Sequence, residues 1–289
     1  MDYILHLAIL ICIYTILAQS LSLVAGYSGQ ISLAQAGFYG IGAYTTALLS
    51  VNYGFPALAT MPLAMLLSGL IAYIVSKVAV KTVDDYYIII TLGIQVVIFS
   101  ILNNWQEVTR GPLGISGIPS FDLFGFEIDS KIVFLIVAVF FSGLIWFVLH
   151  QIASSPFGRV LRALSEDEVY TKSLGKNVGQ YKIVSFTISG MFASIAGVLY
   201  ANYINYIDPS SFTVDESIFI LSIVIIGGMR NLKGIFFAAI FLVLLPEALR
   251  FVGMSSSISA NMRQIIYGIA LILVIYQMGV RKKNLTNRI

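Results

Sequence analysis

The most unusual apolar segment of the sequence is Gly26–Gly42, which reads GYSGQISLAQAGFYGIG and whose polar side chains could contact a small solute. It holds five glycines, and the polar side chains of Gln30, Ser32 and Gln35 interrupt its apolar residues. Glycine allows the backbone to leave helical geometry. Non-helical backbone at membrane depth persists only when it is buried in protein or lines a water-filled cavity. The stretch therefore predicts either a broken helix that lines a path for a small solute or a tight helix–helix contact.

A second glycine break lies in Ile225–Gly234, which reads IIGGMRNLKG. Arg230 and Lys233 place this break at the membrane surface, because charged side chains are costly within the bilayer. The pattern predicts either a short helical hairpin that contacts another protein or a simple turn. Together the two breaks supply the candidate residues of a translocation path, which are Gly26, Gly29, Gln30, Ser32, Gln35, Gly37, Gly227 and Gly228.

The longest strongly polar run is Ser154–Tyr181, the coupling segment. Its charged side chains place it in water or against another protein; they are Arg159, Arg162, Glu166, Asp167, Glu168, Lys172 and Lys176. Its first half is compatible with a short helix parallel to the membrane, and Gly175 is placed to end that helix. The residues alone allow two interpretations. The segment either transmits motion imposed by another protein to the flanking spans or is an ordinary solvated loop.

The sequence offers no catalytic centre. It contains no G-x-x-x-x-G-K-[ST] phosphate-binding loop and no H-E-x-x-H or G-x-S-x-G motif. Its two histidines, His6 and His150, belong to different spans, and a single cysteine cannot build a thiolate metal site. Glu247 lies inside a predicted span, where Arg250 at i+3 is placed to pair with it. We therefore expect no enzyme activity, no metal site and no cofactor in this chain.

The composition identifies the class of protein. Of the 289 residues, 58% are hydrophobic and 11% are charged, whereas soluble domains typically carry about 25% charged residues. We expect an all-α polytopic transmembrane bundle that forms a single domain over residues 1–289. Apolar runs of membrane-spanning length predict about nine spans (eight to ten), the second of them broken or re-entrant. They are 3–24, 31–51, 57–76, 86–103, 131–152, 182–205, 214–229, 234–252 and 263–280.

The charged residues between these spans predict the orientation. Most basic residues fall on one side, namely Lys77, Lys81, Arg159, Arg162, Lys172, Lys176, Lys182, Arg230, Lys233, Arg281, Lys282, Lys283 and Arg288. By the positive-inside rule that side is the cytoplasm, and the C-terminus is cytoplasmic. The other side carries Glu107, Asp122, Glu127, Asp129, Asp208, Asp215 and Glu216. The side of the N-terminus stays open.

The longest loop on the outer side is 104–130. Its glycines and prolines, which include Gly111, Pro112 and Pro119, exclude a long regular helix. Its apolar residues predict that it folds down onto the membrane face; they are Ile115, Ile118, Phe121, Phe124 and Phe126. The loop either receives a partner that delivers a solute or simply covers the helix ends.

Several motifs in one order resemble a known family. Residues 162–168, RALSEDE, with Leu174-Gly175, resemble the cytoplasmic coupling segment of ABC importer permeases, although Tyr170 and Thr171 replace the paired alanines of that segment. The first glycine-rich stretch is similar to the first motif of branched-chain amino acid permeases of the LivM type, with Gln35 where histidine is common. Residues 110–119, 197–201 and 225–250 (RGPLGISGIP, GVLYA and IIGGMRNLKG…LLPEALR) complete the likeness.

The resemblance implies a permease subunit of an ABC importer in the prokaryotic cytoplasmic membrane. ATP would be bound by two separate cytoplasmic ATPase subunits. The other partners would be a second homologous permease, or a second copy of this chain, and an extracytoplasmic substrate-binding protein, with lipid around the spans and no nucleic acid. The substrates would be branched-chain amino acids, or related small amides such as urea. The implied coupling residues are Arg162, Ala163, Leu164, Glu166, Asp167, Glu168 and Gly175. The alternative is a stand-alone secondary transporter or channel for a small solute.

Overall fold

The computed structural model describes residues 2–82, 84–123, 126–128, 130–251 and 268. In chain order, the helices of this part are α1 (Asp2–Ser22), α2 (Gln35–Tyr53), α3 (Ala57–Ala79), α4 (Asp84–Asn104), α5 (Gln106–Thr109), α6 (Lys131–Ser154), α7 (Pro156–Glu166), α8 (Glu168–Ser173), α9 (Val178–Ile204), α10 (Val214–Gly227) and α11 (Leu232–Phe251). The strands are β1 (Ile115–Ser116), β2 (Asp122–Leu123), β3 (Phe126–Glu127) and β4 (Tyr206–Ile207). The all-α bundle is confirmed.

Eight of the nine predicted spans coincide with helices, and the ninth, 263–280, lies outside the described residues except for residue 268. Within the described part of the chain, five helical segments are long and apolar enough to cross a membrane, which are Asp2–Tyr27, Ala57–Ala79, Tyr86–Asn104, Lys131–Ser154 and Val178–Ile204. The chain is therefore a multi-pass membrane protein, and the count of about nine crossings stays a prediction.

Small residues bring the central helices α2 and α9 into backbone contact. A Cβ added at Gly42 would overlap the carbonyl oxygen of Ser194, and one added at Gly197 would overlap that of Tyr39. Small side chains let membrane helices approach closely where no hydrophobic effect drives them together. On the next helix, Ser68 of α3 donates a hydrogen bond of 2.8 Å to the carbonyl oxygen of Gly190 in α9. These contacts fix α9 as the centre of the bundle.

The outer loop contains no long helix in its described residues, as its glycines and prolines predict. Strand β1 pairs antiparallel with β4, which follows α9, so the loop is tied to the end of the central helix. Ile115, Ile118 and Phe121 are buried within the protein. That the loop lies on the membrane face stays a prediction. The side chains of Phe124 and Phe126 lie outside the described residues.

Candidate functional site

The first glycine-rich stretch forms an interrupted helix. A π-helical turn, Leu23–Tyr27, follows α1, and irregular backbone then continues until α2 begins at Gln35. Gly29 has φ +74°, a conformation that glycine adopts without steric cost. The predicted break is therefore confirmed, and the second span begins at Gln35 instead of residue 31.

Side chains from two other helices satisfy the free backbone N–H groups around the start of α2. The N–H of Gly37 donates to Gln95 Oε1 at 2.5 Å, and that of Leu33 donates to Thr91 Oγ1 at 3.1 Å, both in α4. The N–H of Ala36 donates to Ser217 Oγ of α10 at 3.0 Å. The first turn of a helix leaves such donors without an intrahelical partner, and leaving them unpaired within a membrane is costly.

The contact with Gln95 shows that α2 begins about halfway along the bundle. Gln95 lies in the middle of α4 and is fully buried. Its Nε2 donates to the carbonyl oxygen of Phe212 at 2.8 Å, just before α10 begins. Helices α2 and α10 therefore both start near the middle of α4. Interrupted helices that begin inside the membrane are typical of transporter binding sites.

Glu216 in the first turn of α10 lies deeper in the bundle than its sequence position suggests. The sequence placed it on the outer side, at the start of the predicted span 214–229. In the structure, it accepts a hydrogen bond of 2.5 Å from the hydroxyl of Tyr14, which lies midway along the segment Asp2–Tyr27. The 3₁₀ turn Pro209–Phe212 dips into the bundle, because Gln95 holds its last carbonyl group, and it carries the start of α10 inward.

The polar side chains of the stretch lie in protein. Gln35 Nε2 donates to Ser20 Oγ at 2.6 Å, and Gln35 Oε1 accepts from Ser189 Oγ at 3.4 Å. Ser32 Oγ accepts a hydrogen bond from the N–H of Ala34 at 3.2 Å, and Gln30 is buried. These residues link α1, the chain break, α2 and α9.

The predicted path glycines are sites of close backbone approach within this chain. A Cβ at Gly26 would overlap the carbonyl oxygen of Met229, and one at Gly227 would lie 2.5 Å from the Cα of Ile235. Gly37 is similarly close to Gln95, while Gly228 has φ +87° and allows the turn before α11. Tight packing accounts for these positions, and a role in lining a solute path stays a prediction.

Arg230 joins three segments that are far apart in the sequence. Its Nε donates to the carbonyl oxygen of Gly26 at 3.0 Å. Its two terminal nitrogens donate to Glu166 Oε1 at 3.1 Å and to Ser165 Oγ at 2.5 Å. The residue lies in the turn between α10 and α11, so the predicted turn is present. We call this cluster the Arg230 junction: Gly26, Ser165, Glu166 and Arg230.

The coupling segment consists of two helices where one was predicted. Asp167, with φ −153°, breaks the helix after α7 and accepts a hydrogen bond of 2.8 Å from the N–H of Tyr170, which caps the start of α8. Aspartate is a favoured N-cap residue because its side chain satisfies a free N–H group. Gly175, with φ +75°, follows the end of α8.

Specific contacts anchor these two helices to the bundle. Arg162 donates to the carbonyl oxygen of Ala153 at 2.6 Å, and its guanidinium lies 5.5 Å from the centre of the Tyr27 ring. Leu164 is buried and Ala163 partly so. Glu168 forms a 2.6 Å ion pair with Lys182, whose side chain is only 7% exposed. Removing Glu168 would leave a buried cation unpaired, which is strongly unfavourable.

Helix α8 and the residue after it present apolar side chains to the outside. Val169 is 80% exposed, Tyr170 61% and Leu174 59%. These three residues, the α8 patch, lie in the most polar run of the chain, away from the spans. Exposed apolar patches with polar surroundings mark sites of protein–protein contact.

Sequence reasoning missed three of the residues that organise this site. Gln95, an amide in the middle of an apolar span, was an available signal, because buried polar groups require partners. Ser165 and Tyr14 gave no signal in the sequence, since their roles depend on contacts with distant segments. Among the described residues, no group of three His, Cys, Asp or Glu side chains could hold a metal ion.

Comparison with known proteins identifies the family. The chain matches the family described as "Branched-chain amino acid transport system / permease component" over residues 3–275. No solved structure matches it.

The relatives include three permease proteins with assigned or probable transport roles. The high-affinity branched-chain amino acid transport system permease proteins LivM of Salmonella typhimurium and Escherichia coli are 37% identical to it over 84% of this chain and 63% of each relative. The chain thus spans less than two thirds of the length of these relatives. The probable permease LivH of Methanocaldococcus jannaschii is 25% identical over 70% of this chain and 66% of that relative. The chain belongs to the family of branched-chain amino acid transport system permease components.

Proposed function

We propose that the chain is a permease subunit of an ABC importer that moves branched-chain amino acids across the prokaryotic cytoplasmic membrane. The family and the LivM relatives support this role. The alternative substrates are urea and other small amides, and transport assays should compare them with leucine, isoleucine and valine. The subunit acts as a transporter component without enzyme activity or a cofactor of its own, since ATP is bound by partner subunits.

The observation that carries the proposal is the link between the α8 patch and the interrupted helix. The α8 patch supplies a surface for an ATPase subunit, and α7 continues from it to the Arg230 junction. There Arg230 contacts the carbonyl oxygen of Gly26 in the chain break. Motion imposed on α7 and α8 therefore reaches the turn between α10 and α11 and the segment before α2.

The partners follow from the same arrangement. Two cytoplasmic ATPase subunits bind the α8 patch of this chain and the corresponding surface of a second permease. The second permease is homologous, as the likeness to both LivM and LivH proteins supports. An extracytoplasmic substrate-binding protein docks on the outer loop, whose attachment to β4 connects it to the end of α9. The side that carries the coupling segment and the C-terminus is the cytoplasm.

One observation favours a second candidate, a stand-alone secondary transporter. Such proteins place ionisable side chains inside the membrane to bind or relay coupling ions. Glu216, against the midpoint of the first span, is a carboxylate in such a position. The other intramembrane candidate, Glu247, lies in α11, and the side chain of its predicted partner Arg250 lies outside the described residues.

Co-purification with the candidate ATPase tests the proposed partnership. We expect the wild-type chain to retain the ATPase and the pair of substitutions Val169→Asp and Leu174→Asp to lose it by about tenfold or more, because apolar residues in the centre of an interface contribute most of the affinity. Lys172→Ala, an exposed residue on the same helix, is the matched control.

The proposal is contradicted if the double variant retains the ATPase as well as the wild type does. It is contradicted equally if the wild-type chain, correctly inserted, retains none. Gel filtration of each variant shows whether it is folded, so a misfolded double variant is replaced by Tyr170→Ala.

A further inference from the structure

An apolar groove and a smaller polar cavity lie side by side along the bundle. The groove has a volume of about 670 Å³ and runs between α1, α6 and α11. The polar cavity has a volume of about 260 Å³ and lies at the end of the bundle that carries the coupling segment. Both are lined by Trp146, Leu232 and Lys233, so they adjoin each other. We call them the apolar groove and the cationic mouth.

The cationic mouth carries an excess of positive charge. Arg162, Arg230 and Lys233 line it, together with His150. Arg230 is paired with Glu166, and the guanidinium of Arg162 contacts only a carbonyl oxygen and an aromatic ring among the contacts described. Lys233 is exposed and has no ion-pair partner among the described residues. An anion is therefore the complementary ligand, since basic cavities between membrane helices bind lipid head groups.

Gln19 is a buried polar side chain in the otherwise apolar wall of the groove along α1. Its side chain lines the groove and is only 2% exposed, and its Oε1 has no hydrogen-bond partner within the described part of the chain. A buried polar atom without a partner is unfavourable, which a bound ligand would correct. Because the amide of glutamine holds both donors and an acceptor, rotation presents an N–H group to an ester carbonyl.

The length of the groove fits one acyl chain. Along α1, it extends from Ala8 to Gln19, a rise of about 16 Å at 1.5 Å per residue. The hydrocarbon core of a bilayer is about 30 Å thick, so the groove covers about the depth of one leaflet. Its remaining wall is apolar and includes Val139, Gly143 and Phe237.

We propose that the groove and the mouth together bind one anionic phospholipid. The phosphate lies at Lys233 and the two arginines, an ester carbonyl faces Gln19, and an acyl chain fills the groove between α1, α6 and α11. Because Arg162 and Arg230 also contact the chain break and the coupling segment, the bound lipid stabilises the Arg230 junction. The proposal does not depend on which solute is carried.

Native mass spectrometry of the purified chain tests this site. Dioleoyl phosphatidylglycerol and dioleoyl phosphatidylcholine are added separately, so that only the head group differs. We expect one phosphatidylglycerol to be retained at concentrations about tenfold below those needed for phosphatidylcholine. Lys233→Ala should weaken retention of phosphatidylglycerol about fivefold, the contribution of one basic residue near an anionic lipid.

A second variant tests the groove independently of charge. A Cβ added at Gly143 meets no atom within 4 Å, so Gly143→Leu fills the groove without a backbone clash. It should abolish retention of both lipids. Gly93→Leu, at another glycine with open space, and Lys81→Ala, at another exposed lysine, are the matched controls and should retain phosphatidylglycerol like the wild type.

Three results would overturn the proposal. The first is equal retention of the two lipids by the wild type. The second is competition by glycerol 1-phosphate as effective as that by phosphatidylglycerol, which would show an anion site without an acyl chain. The third is loss of a dimer in Gly143→Leu without any change in lipid retention, because the groove would then be an interface between permease subunits.

Discussion

Replacing Arg230 by alanine is expected to lower transport per ATP hydrolysed by about tenfold or more while the protein still inserts and folds. The substitution removes donors to Gly26, Ser165 and Glu166 at once. Hydrogen bonds that involve a charged group are each worth about 1.5–3 kcal/mol, and tenfold corresponds to about 1.4 kcal/mol. The ion pair with Glu166 adds little, because both side chains are substantially exposed, at 39% and 70%. The measurement is the ratio of leucine uptake to ATP hydrolysis in proteoliposomes containing the complete importer.

Two matched variants show whether the geometry of Arg230 matters. Arg230→Lys keeps the charge but cannot make three directed contacts, since lysine lacks the planar fork of arginine. It should therefore be impaired too. Arg159→Ala removes an exposed arginine from α7 and should keep the wild-type ratio. A wild-type ratio in Arg230→Ala would show that the junction does not couple the two activities.

Replacing Gln95 by leucine is expected to reduce the stability of the whole bundle. The change leaves the carbonyl oxygen of Phe212 without its partner at a buried position, and the N–H of Gly37 keeps only its 3.1 Å hydrogen bond to the carbonyl oxygen of Ala34. An unpaired buried group costs about 1–3 kcal/mol, and the weakened bonding of Gly37 adds to that cost, so the loss is large compared with most single substitutions. The measurement is the midpoint of thermal unfolding of the purified protein in detergent.

The neighbouring hydrogen bond supplies a graded comparison. Thr91→Val removes only the hydrogen bond to the N–H of Leu33 and keeps the shape of the side chain, so the unfolding midpoint should fall by less than in Gln95→Leu, which removes two hydrogen bonds. Gln180→Leu, at an exposed glutamine of α9, should leave the midpoint close to that of the wild type. If Gln95→Leu unfolds at the wild-type temperature, Gln95 does not hold the starts of α2 and α10 together.

The helices were predictable from sequence because long apolar runs can satisfy their backbone polar groups in a membrane only as helices. The break near Gly26 was predictable for a related reason, since clustered glycines and polar side chains do not suit a lipid-facing helix. The depth of Glu216 was not predictable from hydropathy, which assigns every polar stretch to the surface. Its position depends on the contact between Gln95 and Phe212, far apart in sequence.

In the coupling segment too, features set by neighbouring residues were predictable from sequence, whereas contacts between distant residues were not. The break at Asp167 follows a local rule, because aspartate before a helical turn acts as an N-cap. The predicted single helix overlooked this signal. The Arg230 junction, by contrast, joins residues more than sixty positions apart, and no local pattern of charge specifies which carboxylate or hydroxyl an arginine meets.

Uptake of leucine by reconstituted vesicles tests the central claim most directly. The chain is incorporated with its partner permease and the ATPase subunits, and the binding protein and leucine are supplied on the outer side. We predict that uptake requires ATP and stops when the ATPase subunits are left out. Uptake by the chain alone, driven by an ion gradient and abolished by Glu216→Gln, would contradict the importer assignment and identify a secondary transporter.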